Sequence, residues 1–192
     1  KERRDAQSVA IRKSTVGADI AAIRKKYVKE KGNFTEAIDA LKSQIEATSS
    51  PTERAQLFLE LATINDVELK DYPEAVANYE KFMEEASDQT RKGDVQLRIA
   101  EIRAEHLREP EVALELYQEF GRKYFNHPKR IDALLAMAQL QEKKLNDVQA
   151  AINIYRNVAD SYPRSGYDEQ ALIRIAELSR THFADYTGAV DA

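Results

Sequence analysis

Three histidines, His106, His127 and His182, are the side chains best suited to hold a transition metal or to move a proton near neutral pH. A metal needs its ligands within a few ångströms of one another, which sequence usually signals by short His, Cys or carboxylate spacings. His106 and His182 stand 76 residues apart, at equivalent positions of two helical units. Helices pack about 8–10 Å apart, so the intervening helix pair keeps these rings from sharing an ion. The expectation is helix-end residues facing solvent, with no metal and no cofactor. Acid pairs such as Glu84-Glu85 and Glu101 with Glu105 have the chemistry of a general acid and base, but runs of charge of this kind are usually solvated helix faces. Tyr79, Tyr117 and Tyr155 could stack on nucleobases; their regular spacing reads instead as aromatic packing between helices. No HExxH, no phosphate-binding glycine loop and no nucleophile elbow occurs. The reading is a chain that is not an enzyme.

The elements that position these residues follow from a period. "FTEAIDAL" from Phe34, "YPEAVANY" from Tyr72, "PEVALELY" from Pro110, "VQAAINIY" from Val148 and "YTGAVDA" from Tyr186 are separated by 38 residues each. Ala37, Ala75, Ala113, Ala151 and Ala189 form one column, followed by Ile38, Val76, Leu114, Ile152 and Val190. The preceding segment has its own column, Ala62, Ala100, Ala138 and Ala176, with Ile64, Ile102, Leu140 and Leu178 two residues on. Apolar residues recur every three or four positions, which is helical spacing. Small residues at matched places let two helices approach closely. Asn33, Asp71, Glu109, Asp147 and Asp185 precede each second helix, where a side-chain oxygen can cap free N–H groups. Asp185 is therefore expected at a turn. Ser50-Pro51-Thr52-Glu53 reads as a capping box. The expected fold is all-α, a right-handed superhelical solenoid of antiparallel helix pairs.

Residues 1–31 hold ten Lys and Arg against four Asp and Glu, a net +6. The rest of the chain then carries −10 of the overall −4. Here the small-residue column would fall on Arg24, and Val9, Val16, Ile20, Ile23 and Tyr27 follow a coiled-coil-like phase. Residues 1–31 are expected to form one long basic amphipathic helix, an irregular first repeat or cap. Residues 32–192 are expected to form the repeat array, cut short at its C-terminal end. The acids within the basic helix and the acidic body argue against a nucleic-acid footprint. Contact of residues 1–31 with an anionic membrane surface is a weaker alternative to a solvated helix. No apolar run of membrane-spanning length is present. No cysteine is present, which removes disulfides and Cys-ligated metals.

The pattern resembles the tetratricopeptide repeat, whose usual period is 34 residues. Ala138 and Ala176 match the small residue late in its first helix. Ala151 matches the small residue of its second helix, Tyr155 the following aromatic, and Pro163 the terminal proline. The chain departs by one extra residue before the turn and three between units. "SYPRSGYDEQALIRIAEL", and more loosely "YFNHPKRIDALLAMAQL", resemble the form seen in bacterial cell-envelope repeat proteins, among them outer-membrane assembly lipoproteins and periplasmic coordinators working with the Tol-Pal system. The resemblance implies a bacterial periplasmic or cell-envelope location, with the cytoplasm left open, and a protein–protein interaction scaffold.

In that family the groove is lined by the first helices. Carried over position by position, its candidate residues are Gln56, Asp94, Asp132 and Gln170; Thr63, Glu101, Gln139 and Glu177; and Asp66, Ala104, Glu142 and Arg180. Their sum is acidic, which implies a neutral or basic partner peptide or helix. Leu59, Leu97 and Glu101 stand where a clamp for acidic peptide tails would need Lys and Asn. The alternative is a structural or regulatory spacer in a longer chain. It would contact a neighbouring enzymatic or membrane domain, or self-associate through the shortened C-terminal repeat.

Overall fold

A computed structural model describes residues 16–29 and 33–190, with side chains described for 16–27 and 33–182. Of the basic segment, residues 1–15 and 30–31 lie outside the described residues, Val9 among them. The chain divides into two compact units, Lys1–Val95 and Gln96–Ala192. All regular structure among the described residues is helical.

In the first unit, α1 runs from 16 to 29 and its last six residues, Arg24–Lys29, widen into a π-turn. Then come α2 (Phe34–Ala47), α3 (Pro51–Thr63, continued by a π-turn over Ile64–Leu69) and α4 (Tyr72–Glu85). The alternating small and bulky columns explain the packing. Ala37, Ala62 and Ala75 have no exposed surface, and Leu41, Leu57, Leu61 and Ile64 fill the space beside them. Val16, Ile20, Ile23 and Tyr27 of α1 join this cluster, so their coiled-coil-like phase is the seam that meets α2 and α3. Arg24, where the small column would fall, lies half-buried and pairs with Glu60 of α3. Arg54 reaches across to Glu85 with two bonds of 2.8 and 2.7 Å, tying α3 to α4.

α5 (Gln89–Glu105) begins in the first unit, where the Asp88 carboxylate accepts from the amides of Thr90 and Arg91 at 3.0 and 3.1 Å. The second unit holds the rest of α5, then α6 (Pro110–Lys123), α7 (Arg130–Lys143), α8 (Val148–Ser161) and α9 (Tyr167–Val190). Ala100, Ala113, Ala138 and Ala151 are fully buried, the first two in a cluster with Phe120 and the last two in one with Val158. A bond of 2.9 Å from the Gln96 side-chain amide to the Leu116 carbonyl joins α5 to α6.

Four first helices, α1, α3, α5 and α7, end in one repeated closure. The amides of Asn33, Asp71, Glu109 and Asp147 bond the carbonyls six residues back, at Tyr27, Asn65, Arg103 and Gln141, over 2.7, 2.8, 2.9 and 2.8 Å. The residue before three of these amides is left-handed: Lys70 at φ 58°, Arg108 at 59° and Asn146 at 54°. The widened last turn absorbs the extra residue before the turn, since a π-type turn accommodates one inserted residue without shifting the faces of the helix before it. Asn33, Asp71 and Asp147 then cap the second helices through the amides of Glu36, Glu74 and Ala150. Glu109 does not cap; its longer side chain turns back to Arg103 at 2.5 Å. The capping box at Ser50 is half closed. Ser50 accepts from the Glu53 amide, but Glu53 accepts from Thr48 rather than from Ser50.

The expected turn at Asp185 does not form. α9 continues without a break to Val190, and Ala176, read as a buried small residue, is exposed. Continuing the helix keeps one backbone bond per residue.

A side chain in the left-handed region carries a steric cost of about 1–2 kcal/mol. Arg108→Gly should raise stability by about 0.5–1 kcal/mol, after allowing for the backbone freedom glycine loses on folding. Arg108→Val should lower it. Urea unfolding followed by circular dichroism checks both.

Candidate functional site

The chemistry of the repeat faces centres on two columns, an acid late in each first helix and a tyrosine 13 residues on. In the first unit, the Tyr79 hydroxyl donates to the Asp66 carboxylate at 3.1 Å. Asp66 is only 1% exposed and belongs to the inside of the helix pair. In the second unit, the Tyr155 hydroxyl donates to Glu142 at 3.5 Å. Glu142 has a stronger partner in Arg174 of α9, whose Nε bonds Oε2 at 3.0 Å while Nη2 meets the other oxygen. Nη1 of the same guanidinium reaches Glu177 at 2.6 Å. These charge-assisted bonds raise the Arg174 pKa above its ordinary value, those to Glu142 first and to Glu177 next. Burial, and then the Glu142 charge, hold the Tyr155 hydroxyl above the ordinary phenol value.

The repeat that holds Tyr117, also in the second unit, differs. The acid column has Ala104, and the Arg174 column has Ala136. A cavity of about 490 Å³ opens there, between α5 and α7, with Tyr117 of α6 in its wall. Glu101, Glu105, Gln139, Lys143 and Lys144 also line it. Lys144 bridges to Glu105 at 3.0 Å, and Arg98 to Glu101 at 2.9 Å. Burial raises the Tyr117 pKa most, and the charges of Glu101 and Glu105 raise it further.

The sequence-derived groove residues divide by environment. Glu101, Asp132, Gln139, Gln170, Glu177 and Arg180 are exposed in the second unit; Glu142 is half-buried. Glu101 and Gln139 share the cavity, while Arg174 brings Glu142 and Glu177 together. In the first unit Gln56, Thr63 and Asp94 are half-buried, and the Thr63 hydroxyl is engaged by the Leu59 carbonyl at 2.8 Å. The acids are not a free negative surface, since Glu101, Glu142 and Glu177 each contact an arginine. Arg174 escaped the sequence reading. Its signal was the column Glu60, Arg98, Ala136 and Arg174, whose arginines follow an acid of the neighbouring column by 32 residues.

His106 and His182 are exposed, as expected. His127 is not: it is buried against the rings of Phe120 and Tyr124, at 5.2 and 6.3 Å, and its Nδ1 accepts from the Lys129 amide at 3.2 Å. Among the described residues no three side chains are grouped to hold a metal ion. No described helix is long and apolar enough to cross a membrane.

Asp66→Ala should cost about 1–3 kcal/mol, because it removes a buried acceptor of the Tyr79 hydroxyl. Asp132→Ala, on an exposed face, should stay within about 0.5 kcal/mol of the parent. Thermal unfolding of the two variants side by side gives the comparison.

A family model described as a tetratricopeptide repeat matches residues 132–165. The match takes in nearly all of α7, all of α8 and the linker to Ser165, with Ala138, Ala151, Tyr155 and Pro163 inside it. Searches of curated proteins and of solved structures found no match. The matched repeat and the helix pairs around it give the described residues an all-α, tetratricopeptide-like helical repeat fold.

Proposed function

We propose that the chain is a non-catalytic protein–protein interaction scaffold in a bacterial multi-protein assembly, holding a partner helix or extended peptide along its first helices. Tetratricopeptide repeats generally mediate protein–protein interaction, and stacked repeats present extended binding surfaces. The observation that carries the reading is the line of exposed polar side chains on α5, α7 and α9 of the second unit: Glu101, Asp132, Gln139, Gln170, Glu177 and Arg180. Asp94, Gln56 and Thr63 are the corresponding contacts of the first unit. The cell-envelope location rests on the form of the linker and first helix from Ser161 to Leu178. Because most of the acids are already paired, a partner is recognised through directed hydrogen bonds more than through a long-range field.

Affinity capture from envelope extract, identified by mass spectrometry, tests this. A specific partner should be held by the parent chain and lost at least tenfold on Asp94→Lys, Glu101→Lys and Asp132→Lys together, with helical circular dichroism unchanged. Unchanged capture would overturn the groove assignment.

A second reading is favoured by α9, where Leu172 and Ile173 are 57% and 56% exposed and Ala176 lies one turn on. This apolar face suits a spacer that meets a neighbouring domain or a sister chain. If sister chains meet there, sedimentation velocity shows association rising with concentration, and Leu172→Glu with Ile173→Glu abolishes it. A monomer at all concentrations would remove self-association.

A further inference from the structure

The cavity beside Tyr117 has an internal counterpart. One unit later, the same place between first helices is filled by two side chains of the chain itself, the Glu142 carboxylate and the Arg174 guanidinium, lying against Tyr155. At the cavity both of those positions are alanine, Ala104 and Ala136. What the chain supplies in one interval it omits in the other, and the tyrosine remains. Tyr117 is 6% exposed, yet among the described residues its hydroxyl has no hydrogen-bond partner. A hydroxyl in the wall of an open space can meet a donor or acceptor from outside.

We infer that this cavity receives an arginine side chain from a protein partner, which occupies beside Tyr117 the place that Arg174 occupies beside Tyr155. The inference deepens the groove reading and rests on it. The lining suits a guanidinium. Tyr117 Oη and the carboxylates of Glu101 and Glu105 are acceptors, and the Gln139 amide offers a further one, beside the ammonium groups of Lys143 and Lys144. The charges of Glu101 and Glu105 both reach the Tyr117 hydroxyl, as does that of Arg98, which pairs with Glu101. Lys144 now pairs with Glu105 and Arg98 with Glu101, but these side chains are solvent-exposed, at 37% to 59%, so an incoming arginine displaces weak contacts. The planar five-donor fork of arginine matches several acceptors at once, which an ammonium cannot do as well.

The test uses the full chain labelled with ¹³C at its tyrosine rings, the signals assigned with Tyr117→Phe and Tyr155→Phe. N-acetyl-arginine amide is titrated beside its neutral isostere, N-acetyl-citrulline amide. The expected result is a saturable shift of the Tyr117 signal with the arginine compound, at least tenfold weaker with citrulline, and a still Tyr155. No saturable shift at Tyr117, or equal response to both compounds, overturns the inference. The variant Ala104→Glu with Ala136→Arg copies the neighbouring interval into the cavity; it should keep its helicity and lose the Tyr117 response.

A random peptide array probed with the parent chain, this filled variant and Asp132→Lys separates this inference from the groove reading. Arg-containing peptides bound by the parent, lost on filling and weakened by Asp132→Lys support both. Peptides weakened by Asp132→Lys but untouched by filling, or bound without enrichment of arginine, leave the groove and remove the arginine site. Loss on filling alone keeps the site and removes the groove. Binding of the free arginine compound with no peptide bound at all removes the protein partner.

Discussion

The close approach of paired helices at their alanines is the constraint from which the rest follows. Ala37, Ala75, Ala113 and Ala151 on the second helices, and Ala62, Ala100 and Ala138 on the first, are fully enclosed. A methyl group is about the largest side chain that lets two backbones come together at the short end of helix packing distances. Once that contact is fixed, the positions of larger neighbours are set by the 3.6-residue turn. Leu41, Tyr79, Tyr117 and Tyr155 lie four residues past an enclosed alanine and are buried in their turn. Interiors pack at nearly crystalline density, so the column repeats with little freedom. Ala176 shows the converse: where no second helix folds back on it, it stays exposed.

This is why so much of the fold was legible. Periodic alanines, the apolar phase and capping side chains are local features, and each reports on one helix or one turn. Asn33, Asp71 and Asp147 cap as their chemistry dictates; Glu109 fails because one more methylene lets it reach Arg103 instead. The unbroken course of α9 was not legible, since YTGAVDA carries the repeat signature whether or not it has packing to gain. Nor was the burial of Asp66 and His127. Each is polar in type, and each is enclosed by a ring from the neighbouring helix, Tyr79 of α4 for one and Phe120 of α6 for the other.

The candidate site was legible only in outline. A column of acids suggests a negative surface, but the sign of a surface depends on what leans across from the next helix. Arg174 cancels much of Glu142 and Glu177, and Arg98 and Lys144 do the same for Glu101 and Glu105. The cavity beside Tyr117 arises from two alanines 32 residues apart. Neither is unusual alone, and only their adjacency across helices turns two small side chains into a space.

The closure at the end of α1, α3, α5 and α7 has a separate consequence for how such a chain can vary. Connections between helices are ordinarily the places where insertions are absorbed and proteases cut. Here the short connection inside each pair is bound by an amide reaching six residues back, at Asn33, Asp71, Glu109 and Asp147. An inserted residue there would break that bond and misplace the cap that follows it. The linkers between pairs, such as Tyr162 to Gly166, are held by side chains of their own, with Asp168 accepting from the Arg164 and Gly166 amides. Those bonds lie at the surface and can be remade around a longer loop. Length changes in descendants of this sequence should therefore gather between pairs and leave the turns within them alone, so that the array lengthens its joints while keeping its hinges rigid.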